Sequence, residues 1–342
     1  MKQIVLSEIN DLEMWRYIKI YENKAQCKEL LASIGIIDPS EIKNRSEIIN
    51  YSIKQSYEFY QASKNVSNLT SPLLSYYSML NLGKALYYLK SPEIDSRSFS
   101  SHGATIKDAI NNDFLEIEIK IKSGGIKSIS SIFNDNALPD KLTIEQILSQ
   151  IVEIAQLFEL SYGTFSSIKR TNFSNNKYTV LAPISTLDNL KHVIEGHRLV
   201  SDVIDDTKLL IQETVATHEK YPGWKEKIVV KNSTGEIFTR VPLKIDGTFY
   251  YLHQPTLVLL LTFAYGMLAR YNANRWGTFN NSLDSKDAAI IASSIELAQS
   301  RYLFESLQVL YDVKFNSLMD TIRTVENKIS YVFEAYKYNF KG

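Results

Sequence analysis

The stretch that decides the fold is SPLLSYYSMLNLGKALYYL, residues 71–89. Its proline stands at the first position of a helix, where the missing N–H leaves no hydrogen bond unmade. Apolar side chains cover this helix nearly all round, which is typical of a helix with no solvent-facing side. The sequence therefore predicts a central, buried helix from Ser71 to about Leu89.

Further helical patterns lie on both sides of this central helix. Apolar and aromatic side chains recur at three- and four-residue intervals from Asp38 to about Asn65. The most hydrophobic run, Thr256 to Ala269, is about 14 residues long, whereas a membrane span needs roughly 20, so we interpret it as a core helix. Two more helices are predicted, from Ser285 or Asp287 to about Leu310, and from Leu318 to Phe340.

Two patches of strand character interrupt the helices. Residues 114–132 alternate apolar and polar side chains around Gly124-Gly125, which predicts a β-hairpin. A second β-rich patch covers residues 227–252 around the turn signal Asn232-Ser-Thr-Gly. Between the patches, Thr143 begins a helical pattern that continues to Leu157.

These patterns predict a mainly α protein with small β-hairpin insertions. The predicted organisation is an N-terminal helical region (1–112), a mixed region with β-hairpins and helices (113–252) and a C-terminal helical region (253–342). The aromatic residues at helical spacing are interpreted as core side chains.

Composition narrows the functional classes. Lys plus Arg (38) equals Asp plus Glu (38), so the chain lacks the excess positive charge that draws many proteins to nucleic acid, although a local basic cleft stays possible. Cys27 is the one cysteine, and no Cys/His set has zinc-ligand spacing. Glycine-rich phosphate-loop and dinucleotide motifs are missing. We therefore expect no metal, no cofactor and no membrane association, and a cytoplasmic location.

Two stretches resemble the YaaC-like proteins of bacteria. The first is the helix at residues 71–86 together with Ser101-His-Gly-Ala, and the second is Met267-Leu-Ala-Arg-Tyr-Asn-Ala-Asn-Arg-Trp276. Because they lie far apart and in the family's order, the resemblance spans most of the chain. It implies little about activity by itself.

The first stretch also resembles the HEPN superfamily of helical bundles, which implies a HEPN-like core. Active HEPN ribonucleases carry Arg, four to six residues, then His, and Arg97-Ser-Phe-Ser-Ser-His102 fits that spacing. The resemblance implies metal-independent RNA cleavage, with His102 as the acid–base group at the start of a helix and Arg97 as the phosphate clamp. It also implies a homodimer or a protein partner, and a role in bacterial stress or antiphage defence.

Other residues fit a binding surface around this pair. Metal-free RNA cleavage needs a proton-transfer group and a cation for the phosphate. Tyr77, Asn81 and Lys84 share one face of the central helix, where they are expected to contact substrate. Arg270 and Trp276 belong to a cluster at a helix end that is either an anion- or partner-binding patch or structural packing.

Three functional classes remain open from the residues alone. The first is the ribonuclease, acting on RNA or a nucleotide. The second is a non-catalytic scaffold that binds a protein or nucleotide, in which His102 only caps a helix and Lys84 only extends to solvent. The third is a phosphate-ester or nucleotide-processing enzyme with a pocket between helical lobes.

Overall fold

A computed structural model describes thirteen segments of the chain: 3–6, 10–95, 97–107, 113–135, 137–164, 166–174, 177–181, 200–205, 208–212, 229–232, 236–281, 285–311 and 314–317. The helix predicted from Leu318 to Phe340 lies outside the described residues.

The described segments contain ten α-helices, and the long ones agree with the sequence patterns. They are α1 Asp11–Lys19, α2 Lys24–Ser33, α3 Pro39–Lys64, α4 Ser71–Lys90, α5 Gly125–Ile132, α6 Ile144–Leu148, α7 Ala155–Tyr162, α8 Gln254–Tyr271, α9 Ala273–Phe279 and α10 Asp287–Tyr311. Short 3₁₀ turns occupy Ile20–Glu22, Phe114–Glu116 and Val152–Ile154. The predictions for α3, α4, α8 and α10 are confirmed.

Side-chain caps explain where two of the long helices begin. Asp38 accepts a hydrogen bond from the backbone N–H of Glu41 at 3.0 Å, and Pro39 takes the first helical position of α3. At α10, the Ser285 hydroxyl oxygen accepts the N–H of Asp287 at 3.1 Å. Both caps satisfy N–H groups that have no partner inside the helix.

Thirteen strands accompany the helices. They are β1 Gln3–Leu6, β2 Ala104–Lys107, β3 Glu118–Ile121, β4 Lys141–Thr143, β5 Ile168–Ser174, β6 Lys177–Leu181, β7 Val200–Asp205, β8 Lys208–Gln212, β9 Val229–Lys231, β10 Ile237–Arg240, β11 Leu243–Ile245, β12 Thr248–Tyr250 and β13 Lys314–Ser317. The sheets have the orders β2-β3-β4, β7-β8-β6-β5-β10-β9, β11-β12 and β1-β13. All pairs are antiparallel except the parallel pair β1-β13.

The fold class, mainly α with small β-hairpins, is confirmed. The β-rich patch at residues 227–252 forms the antiparallel pairs β9-β10 and β11-β12. The six-stranded sheet is larger than the sequence predicted. Three of its pairings join consecutive strands, and the other two, β6-β8 and β5-β10, join strands that are further apart in the chain.

Two local predictions are wrong. Residues 114–132 do not form a hairpin: β3 pairs with β2 and β4, and the second half of the stretch is helix α5. Ile126 and Ile129, three residues apart, are fully buried on one face of α5. The apolar residues in this half of the stretch therefore have helical spacing. The helical pattern from Thr143 is broken after Leu148 into α6, a 3₁₀ turn and α7.

Helix α4 occupies the centre of the molecule. It packs against α3, α5, α8 and α10. Tyr76 and Leu82 are at most 1% exposed, and they belong to one continuous apolar core that extends from α1 to α10. Among the aromatic side chains at helical spacing, Tyr60, Tyr76 and Tyr87 are buried, as expected, and Tyr57, Tyr77 and Tyr88 are partly buried. Within the described part of the chain, none of the helices has the length and apolar character needed to cross a membrane.

Candidate functional site

The site around His102 forms where α4 meets α8. These helices pack side by side and bring together two segments that are far apart in the chain. We define the His102 site as five residues: Tyr76 and Tyr77 on α4, Phe263 and Arg270 on α8, and His102 on the segment before β2.

Three aromatic rings pack against the half-buried His102 imidazole. The ring centroids lie 5.5 Å from Tyr76, 6.2 Å from Tyr77 and 6.2 Å from Phe263. The Tyr76 hydroxyl and His102 Nδ1 are joined by a hydrogen bond of 2.9 Å. One edge of the imidazole is thereby fixed against the core, which orients the ring.

Arg270 supplies a cation to this site. Its exposed side chain donates from Nη1 to the Tyr77 hydroxyl at 3.4 Å, and its guanidinium carbon lies 4.9 Å from the Tyr271 ring centroid. A guanidinium stacked on a phenol ring keeps several N–H groups free for an anion. Arg270 therefore presents positive charge to solvent beside His102.

The protonation state of the site follows from these surroundings. Burial lowers the pKa of His102, and the nearby Arg270 charge lowers this pKa further. Burial raises the pKa of Tyr76, with Tyr77 adding to the effect. At neutral pH the imidazole is therefore neutral and the Tyr76 phenol keeps its proton.

His102 does not begin a helix, so the predicted helix start at Ser101-His102 is wrong. It precedes strand β2, and its carbonyl accepts the N–H of Ile126 at 2.9 Å. The Ser101 carbonyl likewise accepts the N–H of Gly125 at 3.0 Å. The backbone N–H groups of Gly125 and Ile126, in the first turn of α5, are therefore already hydrogen-bonded and cannot bind an anion beside His102.

Two glycines allow the His102 segment to lie against the start of α5. Gly103 (φ +82°) and Gly124 (φ +143°) have backbone conformations that other residues rarely adopt. A Cβ on Gly124 would lie 2.6 Å from the Gly103 Cα and from the Ser101 hydroxyl oxygen. The close approach fixes the backbone on both sides of the imidazole.

The second predicted catalytic residue, Arg97, has different contacts. Its side chain is 89% exposed, and Nε lies 3.7 Å from Asp95 Oδ1. Its backbone N–H also donates to Asp95 at 2.9 Å. Among the described contacts none joins Arg97 to His102, and Arg270 is the cation that acts on the imidazole.

The remaining predicted binding residues differ in burial: Asn81 and Lys84 are partly exposed on α4, whereas Trp276 is buried. Asn81 donates to the Tyr77 carbonyl within α4 at 2.9 Å, and the Lys84 ammonium lies 5.8 Å from the Phe99 ring centroid. Both are half-buried and continue the α4 face that holds Tyr77. Trp276 is only 1% exposed, and its indole N–H is shared by the carbonyls of Asn68 (3.3 Å) and Leu69 (3.2 Å).

Sequence reasoning did not find a second histidine site, at His253. The ring atom His253 Nδ1 lies 2.7 Å from Asp135 Oδ1. The backbone N–H of His253 donates to the other carboxylate oxygen of Asp135, Oδ2, at 2.9 Å. The fully buried Arg240 donates to the Leu252 carbonyl beside this pair. His253 and Asp135 are distant in the chain, so no local sequence motif predicts that they form a pair.

No group of three or more His, Cys, Asp or Glu side chains lies close enough to hold a metal ion within the described residues. The His102 site contains an imidazole, a guanidinium and two phenols.

Comparison with known proteins identifies a family that the chain matches. Residues 19–310 match the YaaC-like protein family, which is most of the chain. The chain belongs to the YaaC-like family. Both stretches that carried the resemblance lie inside the matched region of this YaaC-like chain, and the His102 site contains residues from each. None of the curated proteins and none of the solved structures matches it. The HEPN-like core stays a prediction.

Proposed function

We propose that this YaaC-like protein binds RNA through a phosphate at the His102 site and cuts it without a metal ion. The observation that carries the proposal is that Tyr77 contacts both groups: its hydroxyl lies 3.4 Å from Arg270 Nη1, and its ring centroid lies 6.2 Å from that of His102. Metal-free phosphodiester cleavage needs a cation for the phosphate and groups that transfer protons, and Arg270 and His102 are groups of these two kinds.

Each side chain has a distinct task in this proposal. The Arg270 guanidinium binds two oxygens of a phosphate in its planar fork. His102 is the acid–base group in its acid form: the imidazolium, which its lowered pKa makes a stronger acid, gives a proton to the leaving oxygen, while water takes the proton of the attacking 2′-OH. The Tyr77 hydroxyl, already within reach of Arg270, helps to orient the phosphate.

The other predicted residues take outer positions. Arg97 is largely exposed, so it contacts the nucleic-acid backbone beyond the scissile phosphate. Asn81 and Lys84 extend the surface along α4. The proposal keeps three expectations from the HEPN resemblance: two copies of the chain that complete one site, a cytoplasmic location and a role in stress or antiphage defence.

The test is cleavage of a mixed RNA pool in the presence of EDTA. We expect the wild-type chain to cut RNA and to leave cyclic-phosphate ends. His102→Gln and Arg270→Gln should each lower the rate about 10²-fold or more, as loss of an acid–base or charge-stabilising group does. The matched control is Arg16→Gln, which removes an exposed cation on α1. Undiminished cleavage by folded His102→Gln protein would remove His102 from the mechanism.

A non-catalytic binding protein is the second candidate. The favouring observation is that His102 packs against three aromatic rings, with Nδ1 held by Tyr76, as a structural histidine does. In that case the same RNA pool is bound, with an affinity that falls in Arg270→Gln, but no cyclic-phosphate ends form. The cleavage assay and a binding assay on the same samples separate the two candidates.

A further inference from the structure

The two described histidines have opposite kinds of hydrogen-bond partner at Nδ1. His253 Nδ1 faces a carboxylate oxygen of the buried Asp135 at 2.7 Å. A carboxylate only accepts hydrogen bonds, so His253 must carry a proton on Nδ1. His102 Nδ1 faces the hydroxyl of Tyr76 at 2.9 Å, and a hydroxyl either donates or accepts.

The surroundings of Tyr76 decide which way its hydrogen bond runs. Tyr76 is fully buried, and its hydroxyl has this one hydrogen-bond partner in the described part of the chain. If His102 Nδ1 donated, the Tyr76 O–H would have no acceptor, which costs about 1–3 kcal/mol for a buried group. If Tyr76 donates to the Nδ1 lone pair, both buried groups are satisfied.

We propose that neutral His102 carries its proton on Nε2, held in that tautomer by Tyr76, and uses this N–H to bind a phosphoryl oxygen. Tyr76 is then a positioning residue that acts through His102. The tautomer stands on the hydrogen-bond geometry alone, and only the phosphate ligand rests on the proposed function. The His253 contact with Asp135 requires the opposite tautomer of a neutral ring, with the proton on Nδ1.

This assignment gives the His102 site a specific ligand chemistry. The outer nitrogen of His102, the Arg270 guanidinium and the Tyr77 hydroxyl can all donate hydrogen bonds. A set of donors with one fixed positive charge fits an anion with several acceptor oxygens, and a phosphate group has that character. The His102 lone pair is not available to take a proton from a bound ligand in this state, because it lies on Nδ1 against Tyr76.

The test is long-range ¹H–¹⁵N NMR of the full chain with ¹⁵N-labelled histidine at a pH above the histidine pKa values. The variants His102→Gln and His253→Gln assign the two rings among the five histidines. We expect the unprotonated nitrogen to be Nδ1 in His102 and Nε2 in His253. In Tyr76→Phe, the His102 signals should move towards the tautomer mixture of free imidazole, while the His253 signals should stay in place.

The ligand is tested by adding inorganic phosphate to the same sample. We expect the His102 Nε2 signal to shift with phosphate concentration, with a much smaller shift in Arg270→Gln. A His102 ring protonated on Nδ1 would overturn the tautomer, and an Nε2 signal insensitive to phosphate would overturn the donor role. Neither readout depends on RNA cleavage, so a chain that fails the cleavage assay but passes here refutes the proposed reaction alone. If Tyr76→Phe does not fold, the wild-type spectrum still decides the tautomer.

Discussion

At the residue scale, His102 is a group whose charged form the fold disfavours. Burial and Arg270 both lower its pKa below the value of an exposed histidine, 6.5. The unfolded chain therefore takes up a proton at a higher pH than the folded chain does. By linkage, the contribution of His102 to stability is present above the unfolded pKa and is lost progressively as the pH falls from the unfolded pKa to the lower folded pKa.

This linkage predicts the behaviour of His102→Gln. We expect the free energy of unfolding of the wild type to fall more steeply between pH 7 and pH 5 than that of the variant, because the variant has no imidazole to protonate. Urea unfolding at several pH values measures the difference. Parallel pH profiles for the two proteins would contradict the lowered pKa.

Trp276 gives a second prediction at this scale. Trp276→Phe leaves the carbonyls of Asn68 and Leu69 without the indole N–H, and should cost roughly 1–3 kcal/mol of stability. The control is Trp15→Phe, since the buried Trp15 N–H has no hydrogen-bond partner among the described residues. Denaturant unfolding should show a clearly smaller loss for the Trp15 variant; equal losses would contradict a bonding role for Trp276.

The sequence predicts single residues well only where their partners are near in the chain. It identified His102, Tyr77 and Arg270 as separate candidates. It paired His102 with Arg97, its neighbour in sequence, whereas the cation that acts on the imidazole comes from α8. Contacts between helices that are far apart in the sequence depend on how the helices pack, and residue spacing within one segment does not predict that packing.

At the element scale, the position of His102 depends on how closely its segment approaches α5. Gly124→Ala would place a Cβ 2.6 Å from the Gly103 backbone, so one segment must move. We expect a loss of about 1–3 kcal/mol from crowding, added to backbone strain. In NMR spectra the His102 ring signals should shift.

The control for this prediction is Gly35→Ala. Gly35 has φ +89°, and a Cβ there meets no atom within 4 Å, so the variant carries backbone strain without crowding. Equal destabilisation of the two variants, with unchanged His102 signals, would show that the approach to α5 does not position the imidazole.

Elements were predictable where local periodicity and caps coincide. Asp38-Pro39 begins α3, as the sequence indicated, and Ser285, one of the two starts that the sequence left open, caps α10. The hairpin at residues 114–132 was wrong because β3 finds its partners in β2 and β4. Strand pairing is a long-range choice, so a glycine pair between two apolar runs does not determine it.

At the scale of the whole molecule, α8 connects the candidate site to the rest of the core. Gln254, at its start, donates to the Gln150 carbonyl at 2.8 Å and accepts the N–H of Val152 at 3.1 Å. The other end of α8 carries Arg270. One buried helix therefore joins the segment around Gln150 and Val152 to the His102 site.

The overall architecture was only partly predictable from the sequence. The central helix and the apolar α8 follow from hydropathy, and α4 packs against α8 as two such helices must to bury their surfaces. The six-stranded sheet was not predicted, since its strands show weak alternation and two of its five pairings, β6-β8 and β5-β10, join strands that are not consecutive in the chain.

The central claim is that Arg270 and His102 form one phosphate-binding surface. The most direct measurement is the affinity for a short fluorescent RNA, followed by anisotropy at several salt concentrations. We predict that Arg270→Gln weakens binding and reduces the dependence of affinity on salt by about one phosphate contact, and that His102→Gln weakens binding as well. Arg16→Gln should match the wild type. Equal affinity and equal salt dependence in all four proteins would contradict the account.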